Sequence, residues 1–152
     1  MVRAGLIGAI IGFIYGMSLT LLSPFCTLCF TPLLGLSVGY LASAFDKPTR
    51  LEASLGRGSL AGGIAGGGVI VGQILAILVN GILMTNIEDF SAFMSELGVP
   101  SNLVIDPTQY WQGTLIAGSF CGALNLMIII GLAALGSQLW FRRQQQINAL
   151  TG

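Results

Sequence analysis

Four uncharged apolar runs, separated by short charged or proline-containing breaks, set the plan of this chain. The first covers Ala4 to Leu22 and ends at Ser23-Pro24. The second covers about 26–45 and is stopped by Asp46-Lys47-Pro48; the third covers about 58–84, and the fourth about 107–141. Each is close to or above the ~20 residues that a helix needs to cross a hydrocarbon layer of ~30 Å. The pattern predicts an all-α protein: an integral membrane four-helix bundle made of two helical hairpins in a single membrane domain, residues 1–152. Pro32 falls at the start of the second run, either in the preceding turn or inside the first helical turns, where membrane helices tolerate proline.

Between the third and fourth runs, Ile87, Phe90, Met94 and Leu97 recur at helical spacing, with Glu88, Asp89, Ser91, Ser95 and Glu96 turned the other way. Asn86 suits an N-cap, and Gly98 followed by Pro100 suits a stop, so a short amphipathic helix is expected over about 87–97. It would lie in the membrane interface or pack on the end of the bundle. The fourth run opens on Asp106 as N-cap, Pro107 at the first helical position and Gln109 completing a capping box. Tyr110 and Trp111 at one end and Trp140 at the other would anchor it at two interfaces. From Trp111 to Trp140 is about 43 Å of helix at 1.5 Å per residue, close to a bilayer with its headgroups. Residues 142–152 form a polar tail, expected as a frayed helix end.

Composition agrees: hydrophobic residues make up 54% of the chain and charged ones 8%, with a mean hydropathy of +0.86, too apolar for the surface of a water-soluble domain. Laid out as four spans, Arg3, Lys47, Arg50, Arg57, Arg142 and Arg143 fall on one side, with Glu88, Asp89, Glu96 and Asp106 on the other. By the positive-inside rule both termini are expected in the cytoplasm of a bacterial cytoplasmic (inner) membrane. The first run has a one-arginine basic region, near-span length and no small-x-small site before Pro24, so it reads as a retained span rather than a signal peptide. Zero net charge speaks against nucleic acid as a partner. The lipid bilayer, other membrane subunits and further copies of the chain are the expected partners.

A parallel repeat is visible in outline. Arg3, Leu6, Gly8 and Gly12 recur as Arg57, Leu60, Gly62 and Gly66, and Gly35-Leu36 through Phe45 recurs as Gly131-Leu132 through Phe141. Such spacing fits a duplicated hairpin with an axis along the membrane normal.

Glycine is the most unusual feature, with 22 residues, each costing roughly 0.5–1 kcal/mol of helix stability against alanine in water. In lipid the return is close approach of backbones. Gly8, Gly12 and Gly16 form one stripe; Gly35, Gly39 and Ser43 another; Gly58, Gly62 and Gly66, then Gly68, Gly72 and Ala76, crowd the third span; Gly118 and Gly122 mark the fourth. Gly62, Gly63, Gly66, Gly67 and Gly68 cannot all face one neighbour, so the third helix is expected to be central or shared with a partner. The spacing resembles the glycine zippers of small bacterial membrane proteins, some of them oligomeric pores.

Chemistry-bearing residues are few. Cys26-Thr27-Leu28-Cys29 opens the second span on the acidic side, where an oxidising compartment favours a disulfide. The placement resembles the bacterial inner-membrane enzymes that pass electrons from thiols to quinone, which implies Cys26 and Cys29 as a redox pair. Those enzymes carry a second cysteine pair in the other outer loop, and residues 86–108 contain none. No basic residue stands near the turn to stabilise a thiolate. With no histidine and only Cys121 besides, neither a metal set nor a haem ligand assembles, and no cofactor is expected. Gln73, Asn80 and Asn125 lie within the spans, and a direct Gln73–Asn125 hydrogen bond across the bundle is expected. No Asp, Glu, Lys or Arg falls inside a span, which speaks against an ion-coupled carrier. The expected role is a non-catalytic accessory or scaffold subunit packing through Gly-xxx-Gly stripes in a larger membrane complex. A thiol–quinone oxidoreductase and a homo-oligomeric pore are the alternatives.

Overall fold

The computed structural model describes residues 1–22, 27–86 and 107–151. Four helices account for nearly all of them: α1 (Val2–Leu22), α2 (Thr27–Asp46), α3 (Leu51–Asn86) and α4 (Pro107–Thr151), with no strand among the described residues. All four are long and apolar enough to cross a membrane. The chain is a multi-pass, all-α four-helix bundle. The amphipathic helix expected over 87–97 lies outside the described residues.

Two helices exceed their apolar runs. α3 begins at Leu51 rather than near 58, and α4 continues to Thr151 through what was expected as a frayed tail. Charge ended the apolar window in both cases without ending the helix. Glu52 sits in the first turn of α3, where the helix dipole favours an acid. Residues 142–151 include two Arg, three Gln, one Ala and one Leu, all good helix formers, with neither Gly nor Pro to stop them.

Pro32 lies inside α2, in its second turn, so the turn joining α1 to α2 is shorter than the span from Pro24 to Pro32. At the other end of α2, Lys47 leaves the helix with φ 42° and gives its N–H to the Ser43 carbonyl at 2.9 Å. Pro48 then prevents continuation, and α3 starts three residues later. This tight turn sets α2 and α3 antiparallel. The Met1 amine lies 2.5 Å from the Asp46 carboxylate, and Arg57 gives a hydrogen bond of 3.1 Å to the Asp46 carbonyl. Arg143 reaches the Tyr40 hydroxyl at 3.2 Å. All six basic residues therefore gather at one end of the bundle, called the basic end below.

α1 packs along α3, α3 along α4 and α4 along α2, while α2 also touches α1 and α3. Two of these broad contacts, α1 with α3 and α2 with α4, join helices running in the same direction. The interior is small or polar: Ala4, Ala42, Ala61, Ala65, Ala76 and Ala133 are buried with Val38, Val69 and Ile129, and no aromatic side chain is fully buried among the described residues. The large apolar side chains point outward, with Ile116 at 72% exposure, Met127 at 68% and Ile10 at 63%. In water such a surface would aggregate; in lipid it is solvated.

Glycines make the closest approaches. A Cβ on Gly39 would collide with the Ala133 carbonyl, one on Gly68 with the Ala9 carbonyl, one on Gly72 with the Phe13 carbonyl and one on Gly136 with the Leu36 carbonyl. Gly8 and Gly12 face Ala65 and Val69 of α3, and Gly16 lies against the Val69 backbone, with 2.7 Å from a built Cβ to its carbonyl oxygen. Gly35 meets the Ile129 backbone, and Gly58 and Gly62 meet Ala133 and its neighbours. Gly66 and Gly118 meet chiefly side-chain tips, of Leu126 and Ile77. Gly63, Gly67 and Gly131 have nothing within 4 Å.

These surroundings separate two kinds of glycine. Gly39→Ala and Gly68→Ala force backbones apart and are expected to cost about 1–3 kcal/mol each. Gly131→Ala meets open space and should gain about 0.5–1 kcal/mol from helix propensity. Unfolding midpoints of the purified variants in one detergent check this ordering; equal midpoints would refute it.

Candidate functional site: a buried cluster of amides and hydroxyls

The polar side chains inside the bundle form two layers. Nearer the basic end, the Ser43 and Ser54 hydroxyls lie 2.9 Å apart, Ser54 donates to the Ser137 carbonyl at 3.1 Å, and Ser137 donates to the Ala134 carbonyl at 2.7 Å. All three serines are fully buried. They tie α2, α3 and α4 together with hydroxyls short enough not to separate the helices.

The second layer lies deeper. Gln73 is about 24 Å along α3 from Arg57, and Asn125 about 21 Å along α4 from Trp111. Thr27, in the first turn of α2, enters between them. Its Oγ1 accepts from Gln73 Nε2 at 3.1 Å and from Asn125 Nδ2 at 2.9 Å. Thr31, one turn on, places its hydroxyl proton between Asn125 Oδ1 at 2.6 Å and the Thr27 carbonyl at 2.7 Å. The Tyr15 hydroxyl of α1 donates to that same Thr27 carbonyl, and its ring stands edge-on to Phe30 with centroids 5.9 Å apart. Every helix contributes to the cluster, and Thr27, Thr31, Gln73 and Asn125 are buried at 3% exposure or less.

Gln73 and Asn125 do come to one place, but not onto each other. The direct bond expected between them is replaced by two bonds converging on Thr27, because the start of α2 occupies the space between α3 and α4 at this depth. A hydroxyl oxygen offers two acceptor positions, which suits two amide donors. Sequence reasoning missed Thr27, Thr31 and Tyr15. The signal available was the Thr27/Thr31 pair, hydroxyls four residues apart on one helical face in an otherwise apolar segment. Asn80 is half-buried and takes no part. Among the described residues Gln73 Oε1 and Thr20 Oγ1 are buried with no hydrogen-bond partner. Gln73 Oε1 faces Gly122, where a built Cβ would stand 3.4 Å away.

The remaining candidates scatter. Cys29 is an exposed free thiol on α2 and Cys121 a buried one on α4, while Cys26 lies outside the described residues. No cluster of metal-ligating side chains occurs among the described residues. Trp111 lays its ring over Gly81 at one end, and Trp140 is half-buried at the basic end. The side chain of Tyr110 lies outside the described set. The cluster is built from neutral donors and acceptors, so its chemistry is hydrogen bonding that fixes how four helices meet. No protein family, curated protein or solved structure matches the chain.

Thr27 is the hub of the cluster. Thr27→Val keeps its shape but strands two amide donors, an expected cost of about 0.6–2 kcal/mol for each bond lost. Thr31→Val removes one side-chain bond and should cost less, while Asn80→Leu should be near neutral. Detergent unfolding of the three variants gives the order; an Asn80→Leu effect as large as that of Thr27→Val would contradict it.

Proposed function

We propose that the protein is a non-catalytic subunit of a larger assembly in a bacterial cytoplasmic membrane, with both termini cytoplasmic, and that it docks through the outer face of α3. The observation that carries this reading is the open pair Gly63 and Gly67. They stand four residues apart on one helical face with nothing within 4 Å of either, whereas Gly62, Gly66 and Gly68 on the same helix are covered by α4 and α1. An uncovered Gly-xxx-Gly pair forgoes helix propensity with no return inside its own bundle, and it suits close approach of another transmembrane helix. The grouping of all six cations at one end supports the orientation.

Substitution separates docking from folding. Gly63→Leu/Gly67→Leu is expected to leave helical content and unfolding midpoint near wild type while abolishing co-purification of partner subunits, or of further copies, in mild detergent. Gly72→Leu, directed at the Phe13 carbonyl, should unfold the bundle instead. Cys26→Ala/Cys29→Ala should leave the assembly intact. A wild-type protein that purifies alone and monomeric from its native membrane, or a Gly63→Leu/Gly67→Leu variant that keeps every partner, would overturn the proposal.

A further inference from the structure

The basic end carries a groove of about 540 Å³ between the α2–α3 turn and the last turns of α4. Lys47 and Thr49 line it from the turn, and Trp140, Gln144, Gln145 and Asn148 from α4. The six side chains divide by chemistry. Lys47 is exposed and makes no ion pair among the described residues, whereas Arg57 is held at Asp46 by both the carboxylate, at 3.9 Å, and the carbonyl. The Gln144 and Gln145 amides offer neutral donors from the α4 side and the Thr49 hydroxyl one from the turn. Trp140 stands where the apolar run of α4 gives way to Arg142-Arg143, and tryptophan at such a boundary marks the headgroup level of a bilayer.

Lys47 is also the one non-glycine residue among those described with positive φ, at 42°. Glycine holds such a helix-terminating position without strain, so a lysine there carries a conformational cost. No acidic residue lines the groove. A lone uncompensated cation, flanked by amide donors and placed at headgroup depth, matches an anionic phosphodiester. The neighbouring outward faces of α2 and α4 expose Leu41, Phe45 and Leu139, apolar surface suited to acyl chains.

We infer that this groove binds the headgroup of an acidic phospholipid from the leaflet at the basic end, with the Lys47 ammonium on the phosphate and the Gln144 and Gln145 amides on the phosphate and glycerol oxygens. The site is separate from the docking face of α3, so it stands or falls independently of the proposed assembly.

Native mass spectrometry of the purified protein, exchanged from nanodiscs containing equal phosphatidylglycerol and phosphatidylcholine, reads the site. Wild type is expected to retain phosphatidylglycerol preferentially. Lys47→Gln should weaken that retention about fivefold, the effect of removing one basic residue at an anionic surface, and Lys47→Arg should largely keep it. Arg3→Gln, a cation lost at the same end but outside the groove, should leave it unchanged. Lys47→Gly separates lipid from fold: it should raise the unfolding midpoint by relieving the left-handed residue while weakening lipid retention as much as Lys47→Gln does. Equal retention of the two lipids by wild type, or equal losses in Lys47→Gln and Arg3→Gln, would overturn the inference.

Discussion

Backbone meeting backbone at glycine is the contact on which the rest of the bundle depends. Gly39 against Ala133, Gly68 against Ala9 and Gly136 against Leu36 bring peptide groups of neighbouring helices together with no side chain between them. In water, burial of large apolar side chains would supply the drive to pack. In lipid that drive is absent, since acyl chains solvate leucine as well as a protein interior does, and dispersion between close surfaces must replace it. The bundle is accordingly inverted relative to a soluble one, with alanine, glycine and hydroxyl residues inside and isoleucine, leucine and phenylalanine outside.

The polar layers follow from that geometry. Helices held so close leave room inside only for short side chains, and Ser43, Ser54 and Ser137 fit without spreading them. Gln73 and Asn125 are longer, and their amides are accommodated because α2 begins at Thr27, opposite both. The Thr27 hydroxyl oxygen has two acceptor positions and takes one amide donor from each side. The amides, having no water to turn to, thereby fix the depth and register of α2 against α3 and α4.

The number of long apolar helices and their alternating direction were legible because apolar runs and charged breaks are properties of single segments. Helix ends read from charge alone were not: Leu51 to Arg57 and the residues after Arg142 stay helical because propensity, rather than hydropathy, governs them. Which glycine faces which neighbour was beyond reach for the third span, where glycine occurs on several faces and only the packed helices separate Gly62 from Gly63. Thr27 escaped notice for a related reason. Its partners lie 46 and 98 residues away, and hydroxyls in an apolar run look alike until the opposing helices are in place.

The side-by-side pairing of α1 with α3 has a consequence for how the molecule comes to exist. The first two helices touch each other much less than each touches a helix of the second half, so the opening hairpin has little to hold it together when it first enters the bilayer. The stripe of Gly8, Gly12 and Gly16 has its main counterpart in Ala65 and Val69, synthesised some fifty residues later. Until α3 arrives, that stripe meets only the side chains of Val38 and Leu34 on α2 and is otherwise open. Completion of the second half is then the event that locks the first, and the nascent chain passes through an interval in which its most adhesive surface is open to whatever helix is nearby.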